Sequence, residues 1–474
     1  MIKKESLISY KFILIYLGIF GILLFGRIGA IALIIFAIFY SFIGVDASIK
    51  ALTFSFIIVF VNPKIFGEIN TSIVTALRQV FIIVLFFSTI FHLVFSNRGI
   101  VVKLTLLLFC IVAGVLGIMS SYSVPVTILK IINFFLGASV IIALYFKTKK
   151  SKDYWVKWFI SLAVLVSILS IAVIPFENIA YKYNGYGTNY HLLMGITKHS
   201  QVLSIFMSPF IGFLIGKIYE KGFRLNYVLL LCLFVITLFL TKGRTGMFSI
   251  ILSLLILIFI TIFSKRYRKI TIEWLKSTTN TIVLSVVLLI GIIFYNQIFN
   301  VVSAFVLKRE ETKNVKESFE TSRLGQILKV TKNISDSPYT GIGFGMPSFK
   351  KSLKKKLVKD PFFHIPISAA TEKGFLPLAI VEETGIVGTI FFLLFLITFL
   401  GRIYKNAPVS IFLFSLVSFT NNFGEMMFFS FGGIGLMMWL LMGIGLIKEK
   451  KEEIVSDDDI DQEPEEEDNN FEPV

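Results

Sequence analysis

The chain has 474 residues, 55% of them hydrophobic and only 16% charged, with a mean hydropathy of +0.82. A soluble domain carries about a quarter of its residues as Asp, Glu, Lys or Arg to face water, and here Leu, Ile, Val and 51 Phe take that share. A water-surrounded globular enzyme is excluded, and lipid is the solvent for most of the protein.

The net charge of +16 is unevenly spread. Residues 448–474 hold 3 Lys and 13 acidic side chains, so this segment carries −10 and the rest of the chain +26. The acidic run reads as a disordered, solvating tail. The basic body suits anionic head groups or phosphorylated substrates. Its Lys and Arg sit in short loops between apolar runs, which argues against nucleic acid. Cys110 and Cys232 lie inside apolar runs and read as small buried hydrophobes rather than a disulfide or a metal pair.

Taken in chain order, fourteen apolar runs are long enough to cross about 30 Å of hydrocarbon as helices. They cover residues 7–25, 28–44, 51–66, 73–95, 100–118, 125–146, 155–175, 201–219, 225–241, 246–264, 280–299, 385–404, 408–424 and 430–447. The first follows Lys3, Lys4 and Lys11 and has no small-residue cleavage site after it, so it reads as a retained span rather than a signal peptide. The runs at 28–44 and 51–66 are the weakest, the latter because of Asn62-Pro63-Lys64, which leaves twelve spans as the alternative. The expected architecture is an all-α, polytopic helical bundle of 12–14 transmembrane helices. It comprises an N-terminal bundle (1–299), one large outer-face loop (300–384), C-terminal helices (385–447) and the acidic tail (448–474).

Basic loops stay cytoplasmic when they are short. Lys147, Lys149, Lys150 and Lys152, then Lys265, Arg266, Arg268 and Lys269, then Arg402 and Lys405 fall on one side with Lys3, Lys4 and Lys448. Both termini are therefore expected in the cytoplasm. Residues 300–384 fall on the outer face despite 14 basic and 9 acidic residues, as loops this long translocate with little regard to charge. No internal repeat is visible, which counts against transporter folds built from paired halves.

Ionisable groups are scarce within the spans, where ion and proton transporters keep them. They gather at the outer ends instead: His191, Lys198, His199, Arg244, Arg323 and His364. Arg244 lies in Thr241-Lys242-Gly243-Arg244-Thr245-Gly246, a break between two apolar helices, where a guanidinium grips a phosphate bidentately or snorkels to head groups. Arg323 precedes an amphipathic helical pattern (Leu324, Ile327, Leu328, Ile334) capped by Thr321 or Ser322, and an amide-rich helix start attracts anions. Ser335 to Gly345 is a helix stop followed by alternating glycines. It has neither the Lys-Ser/Thr of a P-loop nor the strand of a dinucleotide fingerprint. His364, in Phe362-Phe363-His364-Ile365-Pro366, has a side chain suited to proton exchange near neutral pH and no metal-ligand spacing around it. Glu382-Glu383-Thr384-Gly385 then opens a span, where carboxylates favour the helix start.

The order of these motifs, Lys-Gly-Arg-Thr-Gly between two spans, Ser322-Arg323 near the start of a long outer loop, Gly341-Ile342-Gly343-Phe344-Gly345, His364 and Glu383-Thr384-Gly385 entering a span, resembles the O-antigen ligase and polymerase family over roughly residues 190 to 400. That resemblance implies a GT-C-like glycosyltransferase of the bacterial inner membrane that needs no cofactor or metal. It would take glycan from undecaprenyl diphosphate at the outer face and pass it to a glycan or lipid A-core acceptor, as in lipopolysaccharide and other envelope polysaccharides. Arg244 and Arg323 would be the diphosphate-binding arginines and His364 the histidine needed for transfer. Lys242, His199 and Glu383 are further candidate substrate contacts, and a polysaccharide chain-length regulator is a candidate partner. The chain departs from the family in having Ile365 after the histidine and nineteen positions from His364 to Glu383, with Thr371-Glu372-Lys373-Gly374-Phe375 as the insert. A lipid-linked glycan flippase or polysaccharide exporter is the competing reading.

Overall fold

The computed structural model describes residues 6–69, 71–183, 191–297, 325–350, 357–359, 366–369 and 373–448. Among these the regular structure is helical apart from two short antiparallel ribbons, β1–β2 (Tyr181–Tyr183 with His191–Leu193) and β3–β4 (Leu357–Lys359 with Pro366–Ala369), and one isolated bridge, Val61 with Thr197. A helix is the form in which an apolar segment satisfies its own backbone where no water can.

The helices run α1 Tyr10–Leu23, α2 Gly26–Ser41, α3 Val45–Phe60, α4 Pro63–Phe66, α5 Ser72–Phe95, α6 Ile100–Ser120, α7 Val124–Lys147, α8 Lys152–Ala172 and α9 Glu177–Ala180. They continue with α10 Ser200–Lys221, α11 Leu225–Thr241, α12 Arg244–Phe263, α13 Lys265–Lys276 and α14 Thr278–Ile293. The last four are α15 Gly325–Asp336, α16 Leu376–Asn406, α17 Val409–Thr420 and α18 Ile434–Gly443.

Seven of the described helices, α5, α6, α7, α8, α10, α12 and α16, are long and apolar enough to cross a membrane, or eight if the bent pair α13–α14 is one span. The expected fourteen spans therefore resolve into two classes. Helices such as α1, with 14 residues, rise only about 21 Å at 1.5 Å per residue, short of the hydrocarbon thickness. Local chemistry moves several boundaries. The expected span at 51–66 is replaced by α3, which stops at Phe60 because Pro63 holds Asn62 extended (ψ 117°) and Asn62 then caps α4. The basic loop after residue 264 is itself a helix, α13, meeting α14 at 83°.

Burial sorts the helices by position. In α10, 83% of its most apolar window is buried, against 22% for α12, so α10 is the axis of the bundle and α12 faces outward. Leu203, Phe206, Met207, Phe210, Phe213 and Leu214 of α10 are buried, in a helix packed against α11, α12 and α17. On α12, Ile251, Leu255, Ile258, Phe259 and Ile262 remain exposed, an apolar surface that suits lipid rather than water. A second packing centre is aromatic. Phe109, Phe134 and Phe429 pack around Phe344, whose ring lies 4.8 Å from that of Phe429 in a T-shaped pair, and Phe392 and Phe428 extend the cluster from Phe429.

The basic loops gather at one end. Arg402 lies 4.8 Å over the Phe146 ring, and Arg266 donates to the carbonyls of Tyr404 (3.2 Å) and Ala407 (3.0 Å). The opposite end carries the α10 start, the α11–α12 turn and the α16 start.

Candidate functional site

Helix α10 begins at His199, whose Nδ1 accepts from the amide of Gln201 at 3.1 Å and so caps the first turn. Beside it is the tight connection from α11 to α12. Lys242 closes α11 in the left-handed region (φ 50°), unique among the described non-glycine residues. Ser204 Oγ donates to the Gly243 carbonyl at 2.9 Å and Gln201 Nε2 to Thr245 Oγ1 at 3.4 Å, so the turn is fastened to the start of α10. Arg244 is the first residue of α12 and is exposed, while Thr245 next to it is buried. Gln201 also donates to Glu425, in the connection after α17, which joins a third element to this end.

The Met426 amide donates to the Lys373 carbonyl at 3.2 Å, and Phe375 meets Phe423 edge to face at 5.8 Å. Through these contacts the α10–α12 corner continues into the entrance of α16. There Lys373, 6% exposed, pairs with Glu382 at 2.7 Å and Glu383 at 3.0 Å, both carboxylates being at most 2% exposed. Burial of one cation and two anions requires further donors, because each carboxylate has more lone pairs than one ammonium can serve. Asn333 of α15 donates to Glu382 Oε1 at 2.6 Å and Ser348 to Oε2 at 2.9 Å, while the Gly345 amide donates to Glu383 Oε2 at 2.6 Å. Burial and, secondarily, the Glu382 carboxylate hold the Tyr122 phenol above its ordinary pKa, and Lys350 lies 5.2 Å over its ring.

The glycine motif and the Glu-Thr-Gly motif are two halves of one joint. Helix α16 is broken at Gly385 (φ 63°, ψ −174°), a conformation essentially confined to glycine. The break frees backbone groups that the upstream loop satisfies: Ile342 and Gly343 amides donate to the Glu382 and Glu383 carbonyls at 2.9 and 3.0 Å, and the Ile386 amide donates to the Pro338 carbonyl at 2.8 Å. The backbones approach so closely that a Cβ on Gly385 would stand 2.2 Å from the Tyr339 carbonyl oxygen, and one on Gly341 2.6 Å from that of Glu383. Gly385→Ala is accordingly expected to be among the most disruptive single-methyl changes in the protein, with strain of at least about 1–3 kcal/mol before the clash is counted. A thermal unfolding midpoint in detergent equal to that of the wild type would refute this.

Of the residues singled out in the sequence, the structure brings His199, Lys242, Arg244 and Glu383 to the same end of the bundle. Arg323 and His364 lie outside the described residues, as do the acidic tail beyond residue 448 and Lys351, Lys354, Lys355 and Lys356 of the outer loop. Glu383 faces inward, committed to Lys373 and Gly345. Sequence reasoning did not single out Gln201, Asn333, Ser348, Lys373 and Glu425. Lys373 carried a signal: a lysine directly before an apolar span that also contains two adjacent glutamates has to find a counter-charge once that span is buried. Gln201, Asn333 and Ser348 carried none, being ordinary polar residues in sequence. Among the described residues no group of three His, Cys, Asp or Glu is placed to share a metal ion.

Residues 228–393 match the O-antigen ligase family model. The matched stretch runs from α11 through the Gly385 break and so includes Lys242, Arg244 and Glu383. No curated protein matches the chain.

Proposed function

With the O-antigen ligase match at residues 228–393 supporting membership of the O-antigen ligase and polymerase family, we propose that the chain transfers or polymerises glycan from undecaprenyl diphosphate at the outer face of a bacterial inner membrane. The observation that carries this reading is the convergence, at the bundle end opposite the basic loops, of the Arg244 turn, the α10 start and the glycine–glutamate joint. The gathering of Lys and Arg at the other end supports cytoplasmic termini and an outward-facing site.

A glycosyl diphosphate brings its own leaving group. The acceptor hydroxyl oxygen attacks the anomeric carbon, the bond from that carbon to the phosphate oxygen breaks, and undecaprenyl diphosphate departs with the electron pair. Donors aimed at the charge that grows on the leaving oxygens lower this barrier most. Arg244, exposed at the first position of α12, carries a planar fork of N–H groups at a helix start that its N-cap side chain does not cap. Arg323 supplies the second guanidinium in this scheme, and His364 takes the hydroxyl proton as general base. Lys242 and His199 flank the diphosphate. Glu383 acts as a positioning residue, holding the Gly345 loop at the α16 entrance.

The test is glycan transfer in liposomes with undecaprenyl-diphosphate-linked oligosaccharide, comparing wild type with Arg323→Ala and His364→Ala. Lengthened or acceptor-attached product with wild type, lost in both variants, is the expected result. Wild-type protein that only moves the lipid-linked glycan across the bilayer, unaffected by either change, would replace the transferase with a flippase.

A further inference from the structure

At the bundle end away from Arg244, a groove of about 720 Å³ opens between α12, α16 and α17. Ile256, Phe259, Ile260, Leu396, Leu400 and Leu416 line it, and its rim is formed by Ser264 and Tyr404, whose hydroxyls bond at 2.8 Å. Gly401 forms part of the wall, with open space where a side chain would project. An apolar slot of this size on an outward-facing helix fits an acyl chain better than water.

Exposed basic residues adjoin the rim in sequence. Lys265 follows the rim residue Ser264, Lys405 follows Tyr404, and both are exposed, as is Arg266. Arg266 is partly engaged, donating to the carbonyls at the end of α16, and Lys265 and Lys405 are the exposed lysines next to the rim residues in sequence. Nearby carboxylates are committed elsewhere: Glu220 accepts from the amide and hydroxyl of Ser410 at 2.9 and 2.8 Å, and Glu273 sits 3.9 Å from Lys269. Helix α13 lies across this end with Tyr267 buried, the Trp274 indole donating to the Ile218 carbonyl at 2.9 Å, and Arg268 and Lys269 exposed. That division of apolar and basic faces is the pattern of a helix resting in a membrane interface.

We propose that this groove is a binding site for an anionic phospholipid, an acyl chain lying between α12 and α16 and the phosphate head group meeting Lys265 and Lys405. The charge complementarity selects an anionic over a zwitterionic lipid. Helix α12 spans 20 residues, or about 30 Å, so the groove's rim and Arg244 serve opposite leaflets and the site is separate from the one proposed for the glycan donor.

The experiment is native mass spectrometry of the full-length protein released from nanodiscs of equal phosphatidylglycerol and phosphatidylcholine. The wild type is expected to retain phosphatidylglycerol selectively. Lys265→Gln and Lys405→Gln should each weaken retention roughly fivefold, the value of one basic residue at an anionic surface, and Gly401→Phe should abolish it by filling the slot. Equal retention of the two lipids, or retention unchanged by the lysine variants, would overturn the proposal. Should Gly401→Phe fail to fold, the lysine pair still decides. Selective displacement of phosphatidylglycerol by undecaprenyl phosphate would also overturn it, by making the slot a carrier site.

Discussion

Lys373→Met should lower the unfolding free energy by about 3–5 kcal/mol, the cost of removing one partner from a buried ion pair. Lys373 is the cation between two carboxylates that are themselves almost wholly buried. Methionine fills the volume but leaves Glu382 and Glu383 facing each other, and one of them must take up a proton or the α16 entrance must open. The damage should therefore be relieved by Glu382→Gln in the same chain, since an amide still accepts from Asn333 and removes half of the unbalanced charge. The readout is the thermal unfolding midpoint in detergent of the single and double variants. A Lys373→Met protein that melts with the wild type, or a double variant no better than the single, would remove the joint from the stability argument.

Arg244→Ala should reduce glycan transfer by about 10²–10³-fold, the usual loss when a donor to developing negative charge is deleted. Unlike Lys373, Arg244 is exposed, so its removal should leave the melting midpoint unchanged within about 0.5 kcal/mol of stability. Arg244→Lys is expected to fall between wild type and alanine, because an ammonium keeps the charge but loses the two-point fork. Rates measured in the same liposome assay, at saturating donor, separate these outcomes. Full turnover by Arg244→Ala would show that diphosphate is held elsewhere.

The contrast between these two residues shows what a sequence carries and what it conceals. Apolar run length made the helices legible, since a segment immersed in lipid has few alternatives to a helix. The same reasoning could not separate full crossings from the shorter α1, α2 and α11, because run length does not show where Leu24-Phe25 or Asn62-Pro63 interrupts a helix. The α11–α12 turn was legible because Lys242-Gly243-Arg244-Thr245-Gly246 interrupts an apolar run with two charges and two glycines. The Glu382-Glu383 pair read in sequence as helix-start carboxylates. Its inward commitment depends on Asn333, Ser348 and Lys373, which only the folded backbone brings to it. Glycines 341, 343, 345 and 385 were visible as turn formers, but that they fit one another was not.

The break at Gly385 has a consequence for how this part of the chain comes undone. An intact helix closes its hydrogen-bond ladder with residues four positions away, so a strand of loop can detach without cost to it. Here the ladder is closed by amides from Ile342 and Gly343, 40 positions upstream of their partners, and by the Pro338 carbonyl, 48 upstream of Ile386. The loop has become a missing turn of the helix. Neither can loosen alone without stranding the other's polar backbone in a nearly dry interior, so segment 338–345 and the entrance of α16 open and close as a single cooperative unit.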